Sequence, residues 1–235
     1  MGFFHLFQKR DTEVFPNTTG DFSVVFVADT HGKLTSDELR ELEKVDLEQT
    51  KALVCLGDVS DEDIQKLKSS CLFSKEDCLV FGVLGNHDAY GDLERRGIAS
   101  LDDGILDICG VIFGGFSGSL KYKNADAPLL TDEESTEKAR MLPTVDVFVT
   151  HDGPKIETRN EAHAGLLGVC TYIEEKHPKY HFFGHRHERK EEKLKSTTSI
   201  CEYRLSVYHF SKSGVKLVWS SVPTYKEYIH NLMAK

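Results

Sequence analysis

Short polar clusters that directly follow apolar runs are the feature of this sequence that most constrains its fold. Apolar runs rich in β-branched and aromatic residues are typical of buried strands. Ligand sites in open α/β sheets lie outside the carboxyl ends of strands, so such clusters predict one composite site at a sheet edge. The clusters are Asp29-Thr30-His31, Gly57-Asp58, Gly85-Asn86-His87-Asp88, Thr150-His151 and Gly184-His185-Arg186-His187.

The apolar runs alternate with amphipathic stretches, and this alternation predicts strands and helices in turn. The predicted strands are Phe22 to Ala28, Ala52 to Leu56, Cys78 to Leu84, Ile105 to Phe113, Val145 to Val149, Tyr180 to Phe183, Cys201 to Phe210 and Val215 to Ser220. The predicted helices are Ser36 to Glu48, Asp61 to Ser69, Glu133 to Met141, Ala164 to Lys176 and Lys226 to Ala234, and Lys121 to Glu137 is the longest predicted surface loop. Near-continuous apolar strands are covered on both faces, so we expect a layered α/β sandwich.

Length and charge narrow the classes of protein that fit. The 235 residues are enough for one domain, which we expect to span residues 1–235. Acidic residues outnumber basic ones by 38 to 29, and the net charge is -9, so nucleic acid is not an expected partner. Bound cations would reverse the sign of the charge inside a pocket, so the acidic balance still permits phosphate chemistry.

The cysteines and the first ten residues indicate a cytoplasmic protein without membrane contact. The six cysteines are scattered without close paired spacing, which favours free thiols in a reduced compartment. Residues 1–10 are apolar at first, but their positive charge follows the apolar patch, the reverse of a secretory signal. We expect a strand or a tucked terminal arm there. The sequence does not indicate the oligomeric state.

The spacing inside the clusters indicates which side chains converge. Asp29 and His31 lie two residues apart, as do His185 and His187, and in extended backbone both members of each pair point the same way. Neighbouring residues can then bind one ion.

Asn86 and His87 are adjacent, so they point differently, and one can bind metal while the other faces substrate. Three glycines stand at the corners of the clusters, where sharp bends and close backbone approach are needed. They are Gly57, Gly85 and Gly184.

The chemistry of the donors favours transition metals. Carboxylate and carboxamide oxygens mixed with imidazole suit Mn, Fe or Zn better than Ca, and the absence of cysteine argues against a structural zinc site. Two ions about 3.5 to 4 Å apart need a shared ligand, and a carboxylate can bridge them. Asp58, central in the order of clusters, is the natural bridge. We expect two divalent ions, with Mn preferred and Fe or Zn as alternatives.

The ordered clusters resemble the signature of the calcineurin-like metallophosphoesterases: Asp-x-His, Gly-Asp, Gly-Asn-His-Asp/Glu, His, then Gly-His-x-His. All elements occur in order between Asp29 and His187. The resemblance implies an αββα sandwich of two mixed sheets flanked by helices, and a hydrolase acting on phosphate esters. It also implies two metal sites, the first formed by Asp29, His31, Asp58 and His187 and the second by Asp58, Asn86, His151 and His185.

The same resemblance implies a mechanism in which a hydroxide that bridges the ions attacks phosphorus in line. His87 matches the family's acid, which protonates the leaving oxygen. Asp61 matches the carboxylate that pairs with this histidine in phosphoprotein phosphatases, and Asp88 is the competing partner. Asp61 and His87 are therefore the predicted catalytic residues.

One departure bears on the substrate. Asp61 is followed by Glu62-Asp63, where phosphoprotein phosphatases have Arg-Gly, so the arginine that binds the phosphate monoester there is missing. The order of parts is more similar to the small phosphodiesterase-like members of the superfamily. We expect a small phosphate-ester substrate, either a phosphodiester or a phosphomonoester. Asn86 and His163 are candidate substrate contacts, although a structural role at a helix start explains His163 as well.

Two other classes of function remain as alternatives. The first is a non-catalytic binding or scaffold module on the same fold, since function resides in sites rather than folds. The presence of His87 favours an enzyme, because a site that had lost catalysis would have little need for an acid. The second is a nuclease of the same superfamily, which the acidic balance and the lack of basic stretches argue against.

Overall fold

The computed structural model describes residues 14–70, 78–156 and 163–223. The described strands are β1 (Phe22–Ala28), β2 (Thr50–Cys55), β3 (Leu79–Gly82), β4 (Ala99–Ser100), β5 (Ile105–Ile108), β6 (Val111–Phe116), β7 (Ser119–Leu120), β8 (Leu129–Leu130), β9 (Val147–Thr150), β10 (Tyr180–Phe183), β11 (Lys190–Leu194), β12 (Thr197–Cys201), β13 (Arg204–Ser211) and β14 (Gly214–Ser220). The α-helices are α1 (Ser36–Leu42), α2 (Asp61–Lys68), α3 (Asp92–Arg95), α4 (Asp132–Met141) and α5 (Leu167–Lys176).

Two mixed six-stranded sheets form the centre of the molecule. The first has the order β14-β13-β1-β2-β3-β4, in which β1 to β4 run parallel and β13 is antiparallel to β1. The second has the order β11-β12-β10-β9-β6-β5, in which β12, β10, β9 and β6 are parallel neighbours. Parallel neighbours deliver their carboxyl ends to the same edge, which is where the polar clusters follow.

The apolar core is divided into three layers. The first layer joins the inner faces of the two sheets, where the rings of Phe26 and Phe182 stack with centroids 4.1 Å apart. The second covers the outer face of the first sheet with residues of α1, α2 and α3, including Leu42 and Ile64. The third packs α4 and α5 on the second sheet, where Tyr172 stacks on a phenylalanine of β9. The expected αββα sandwich is confirmed.

Several of the predicted elements differ from the observed ones in their bounds. The helix that begins at Ser36 ends at Leu42, where the backbone N–H groups of Lys44 and Val45 donate to the carbonyls three residues before them. The side chain of Asp46 then accepts from the backbone N–H of Glu48 and stabilises a turn. The run predicted as one strand from Ile105 is two, since Cys109 and the following glycine both adopt positive φ and form a hairpin turn. The predicted loop from Lys121 to Glu137 contains β8 and the start of α4.

Two predicted segments, the terminal arm of residues 1–10 and the helix from Lys226 to Ala234, lie outside the described residues. Within the described ranges, no helix is both long and apolar enough to cross a membrane. The five cysteines in those ranges are free thiols.

Candidate metal centre and active site

All five polar clusters lie at the carboxyl ends of strands, as the sequence predicts. The first three follow β1, β2 and β3 of one sheet, and the last two follow β9 and β10 of the other. Backbone hydrogen bonds join the loops to one another: the N–H of Asp29 donates to Gly57, that of His31 donates to Asp58, and that of Gly184 donates to His151. One edge of the sandwich therefore collects ligands from both sheets.

The backbone of five of the seven candidate ligands is left-handed, and this differs from the extended backbone that we expected within the clusters. Asp29, His31, Asp58, His185 and His187 have φ between 46° and 66°. This region is unfavourable for residues with a side chain, and such strain is concentrated at functional sites. Asp29 and His31 still converge in one group of donors, whereas His185 and His187 do not fall in the same group among the described residues. The convergence arises through turns and not through the alternation of a strand.

The glycines at the corners are required mainly by close approach. A Cβ on Gly57 would lie 2.5 Å from Nδ1 of His151, and one on Gly184 would lie 2.6 Å from Oδ2 of Asp29. A Cβ on Gly85 would clash with Oδ1 of Asp58. Of these three glycines only Gly57 has positive φ, at 94°. The other two are needed because the ligand side chains occupy the space of a Cβ.

The first group of converging donors is Asp29, His31 and His187, whose ligand atoms lie within 4.8 Å of one another. The Nε2 atoms of the two histidines face each other at 3.2 Å. Oδ1 of Asp29 is buried and has no hydrogen-bond partner among the described residues. Burial lowers the pKa of both histidines, which favours the neutral rings that metal binding requires.

The second group is Asp29, Asp58 and His151, again within 4.8 Å. Nδ1 of His151 lies 2.7 Å from the carbonyl oxygen of Leu56, which can only accept, so this nitrogen carries the proton. In the neutral ring the lone pair of Nε2 then faces Oδ1 of Asn86 at 3.1 Å and Oδ2 of Asp58 at 3.5 Å. Three acceptor atoms that face each other fit a cation between them.

The charges of the second group point to the same chemistry. Burial raises the pKa of Asp29 to about 7, although His151 opposes this and Asp58 adds to it. Burial alone would lower the pKa of His151, but Asp58 and Asp29 raise it above the ordinary value. A divalent cation would provide the positive charge that these carboxylates otherwise favour on a protonated His151 ring.

The remaining predicted residues lie around these two groups. The ring of His185 is buried, 4.9 Å from that of His151, and the ring of His163 lies 4.8 Å from His185. Asn86 is buried and donates through Nδ2 to the hydroxyl of Tyr122 at 3.4 Å. The sequence did not single out Tyr122, because it lies in the segment interpreted as a surface loop.

His87 and its expected partner do not contact each other. His87 is exposed, and its backbone N–H donates to Oδ1 of Asp58 at 2.8 Å. Asp61 instead accepts from Arg95 at 2.5 Å and from Arg96 at 2.6 Å, and these bonds lower its pKa to about 2. The expected orienting bond from Asp61 to the acid is absent from the described contacts, because the two arginines occupy the carboxylate.

Asp88, the alternative partner expected for His87, is also bound to other groups. Its Oδ2 accepts from the backbone N–H groups of Asp58 and Gly85, each at 2.8 Å. Its Oδ1 accepts from Arg96 at 2.9 Å. This buried carboxylate therefore ties together two of the loops that carry candidate ligands.

The arginines are what sequence reasoning missed. Arg95 and Arg96 lie at the carboxyl end of α3, a four-residue helix too short to show a periodic pattern. They line a pocket of about 440 Å³ beside the candidate metal centre. The other lining residues are His31, Gly32, Asp58, Val59, Ser60, Asp61, Glu62, His87 and Asp88. The adjacent arginines, three and four residues after Asp92, were the available signal.

The two mixed sheets, the flanking helices and the ligands at the sheet edge define a metallophosphoesterase-type fold. The family model for calcineurin-like phosphoesterases matches residues 22–189. The chain therefore belongs to the calcineurin-like phosphoesterase family, as the ordered clusters predict. No curated protein sequence matches the chain.

Three solved structures illustrate the range of proteins with a similar fold. The phosphopantetheinyl hydrolase of Mycobacterium tuberculosis is 13% identical, with a TM-score of 0.53 over 79% of this chain and 90% of that one. A dimetal phosphatase from Danio rerio is 12% identical, with a TM-score of 0.51 over 80% and 92%. The anchor protein GAP50 of the Plasmodium inner membrane complex is 11% identical, with a TM-score of 0.55 over 86% of each chain. At these identities the likeness concerns the fold alone.

Proposed function

We propose that this protein is a phosphoesterase that uses two divalent metal ions to hydrolyse a small phosphomonoester or phosphodiester. The observation that carries the proposal is the convergence of carboxylate oxygens and imidazole nitrogens on two positions at the edge of the sandwich, among them the buried Oδ1 of Asp29, which has no hydrogen-bond partner among the described residues. Asp29, His31, Asp58 and His187 would hold one ion. Asp58, Asn86, His151 and His185 would hold the other. Asp58 would be shared by the two ions, whereas Asp29 is the residue common to both converging groups.

When bound, two divalent cations activate a water molecule as the nucleophile and neutralise charge on the phosphoryl oxygens. The chain supplies the rest. Backbone bonds between the loops hold the donors in place, and burial of the carboxylates excludes water from behind them. Mn is the metal that we propose, with Fe or Zn as alternatives, because the donor set mixes oxygen with imidazole.

His87 is the proposed proton donor to the leaving oxygen. Its side chain is exposed in the pocket, and its backbone is fixed by Asp58. The ring of His31 packs edge-on against it, with centroids 5.2 Å apart. We propose no direct role for Asp61 in orienting this ring. Asn86 and His163 stand beside the second group of donors and are proposed to contact the phosphoryl group.

The test of this proposal is metal analysis of the purified protein, followed by assays with monoester and diester substrates in the presence of Mn. We expect bound transition metal and Mn-dependent release of product from one or both classes. A protein that binds none of these metals and hydrolyses no ester would be a binding module instead.

The matched variants are Asp58→Asn and His87→Ala. Asp58→Asn should lose both metal and activity, because a carboxamide cannot bridge two cations with two anionic oxygens. His87→Ala should retain the metal and lower kcat by about 100-fold or more with poor leaving groups, with a smaller loss for good ones. Loss of the metal from His87→Ala would refute the role assigned to this residue.

A further inference from the structure

The pocket beside the candidate metal centre contains an arginine pair that the proposed reaction leaves unused. Arg95 and Arg96 are consecutive, and both face the same pocket as Asp58 and His87. The two side chains differ in burial: 55% of the Arg95 side chain is exposed, against 9% of Arg96. The difference indicates that Arg96 is a structural cation and that Arg95 is accessible to a ligand.

Arg96 is fully engaged with the protein. Its Nε donates to Asp61 at 2.6 Å, and its two terminal nitrogens donate to Asp88 and Asp92 at 2.9 Å and 2.8 Å. Each nitrogen of the guanidinium group therefore has a carboxylate, and a ligand would have to break a buried pair to reach it. Arg96 is a positioning residue for the loops that Asp88 ties together.

Arg95 is half exposed and is held by two carboxylates, Asp61 and Asp92, of which Asp92 is only 14% exposed. It contacts both oxygens of Asp61, at 2.5 Å and 3.1 Å, and Asp92 at 2.8 Å. The side chain of Asp61 is itself 48% exposed. Water and salt screen such an exposed pair, so it adds little to stability and yields to a competing anion. Asp61 and Asp92 would both keep Arg96 as a partner when Arg95 turns to a ligand.

The position of Arg95 indicates which part of a substrate it would reach. His87, the proposed donor to the leaving oxygen, lines the same pocket. The pocket is also lined by the candidate metal ligands His31 and Asp58, where the phosphoryl group would bind, so we assign the part of the pocket at Arg95 to the leaving group that His87 would protonate. A guanidinium group matches the paired oxygens of a phosphate or carboxylate and forms two parallel hydrogen bonds with either.

We infer that Arg95 determines substrate specificity by binding an anionic group, a phosphate or a carboxylate, on the leaving group of the ester. The inference rests on the proposed phosphoesterase function, because His87 defines the side of the leaving group. It restores a cation to the pocket in place of the arginine that is missing after Asp61, and it does so from a different element, α3. The competing explanation is that Arg95 only fastens α3 to α2.

The test uses non-hydrolysable ligands and the Mn-loaded protein. Binding of phenylphosphonate, 4-carboxyphenylphosphonate and benzene-1,4-diphosphonate is measured by calorimetry for wild type, Arg95→Gln and Arg140→Gln. Arg140 is the matched control, an arginine of α4 whose side chain is 65% exposed. The ligands with a second anionic group should bind wild type and Arg140→Gln about ten-fold more tightly than phenylphosphonate. Of the two ligands with a second anionic group, the one that binds more tightly identifies phosphate or carboxylate as the preferred group.

In Arg95→Gln this preference should be lost, so that the ligands with a second anionic group bind about as tightly as phenylphosphonate. Arg95→Lys should keep part of it, because a point charge remains without the planar fork. The inference would be overturned if wild type bound all three ligands equally or bound none of them. It would also be overturned if Arg95→Gln kept the preference unchanged. A lower melting temperature of Arg95→Gln with an unchanged preference would support the fastening role instead.

Hydrolysis of phenyl phosphate and 4-carboxyphenyl phosphate separates this inference from the proposed function. If both esters are hydrolysed but kcat/KM does not favour the carboxylated one, the enzyme proposal stands and the role of Arg95 fails. If neither ester is hydrolysed while the phosphonate preference holds, the anion site stands and the proposed activity fails.

Discussion

The metal side and the arginine side of the candidate site are built by opposite means. On the metal side, candidate ligands such as Asp29 and His151 are buried, and left-handed backbone turns and close-packed glycines hold the loops. On the arginine side, Asp61 and Arg95 are half exposed and are held by ion pairs between the short helix α3 and the start of α2. Arg96, buried between them, joins the two sides through Asp88.

The difference teaches which side can tolerate change. Geometry for metal ions must be kept within narrow limits, and backbone that is fixed by packing does this well. Recognition of varied leaving groups requires side chains that exchange partners, and exposed ion pairs permit this at small cost. We therefore expect substitutions on the metal side to weaken or abolish metal binding, and substitutions of the exposed residues on the arginine side to change selectivity.

The largest effect is expected from Gly85→Ala. The new Cβ would clash with Oδ1 of Asp58 and approach Cε1 of His151 at 2.7 Å, so the loops must separate. We expect metal affinity to fall about 100-fold and stability by about 1–3 kcal/mol. Metal titration and urea unfolding measure the two losses. Gly20→Ala is the matched control, because a Cβ there meets nothing within 4 Å. Unchanged metal affinity in Gly85→Ala would contradict the close packing of the metal side.

A smaller effect on metal affinity is expected from Arg96→Met. The substitution leaves the buried carboxylate of Asp88 without its cation, and unpaired buried charges cost about 3 kcal/mol. The loops of Asp58 and Gly85 depend on Asp88, so metal affinity should fall about 10-fold. Metal titration of Arg96→Met beside Arg95→Gln checks this. Equal losses in the two variants would remove the distinction between the buried and the exposed arginine.

The smallest effects concern two carboxylates that differ in exposure. Burial would raise the pKa of Glu38, but hydrogen bonds from Arg204 and Thr35 lower it to about 2, and its side chain is 15% exposed. Asp61 also has a pKa lowered to about 2, but it is 48% exposed. We expect Glu38→Gln to cost about 2 kcal/mol and Asp61→Asn less than about 1 kcal/mol at pH 7.

The sign of the pH dependence follows from the lowered pKa values. A carboxyl whose pKa is lower in the folded state contributes fully above its ordinary pKa, near 4, and loses this contribution as the pH falls towards 2. The difference between each variant and wild type should therefore shrink between pH 5 and pH 3, as measured by urea unfolding. A difference that is constant over this range would show that packing, and not charge, explains the loss.

Much of the fold and of the candidate site follows from local pattern. The strands β1 and β10 have the predicted bounds, Phe22–Ala28 and Tyr180–Phe183, because long runs of large apolar residues leave few alternatives. The helix α3 was not predicted, since four residues show no period, and it is the element that carries Arg95. The site was predicted where it depends on strand ends and was incomplete where it depends on a short helix.

The sequence by itself determined the family, the order of the polar clusters and the side chains that they offer, because each cluster is tied to the end of a strand by chain connectivity. Only the tertiary structure decided how these side chains are used. Asp61 is 34 residues from Arg95, and no local pattern predicts that packing of α2 near α3 pairs them and leaves His87 without the expected partner. The left-handed turns of Asp29 and His31 likewise exist only because contacts between the loops compensate their cost.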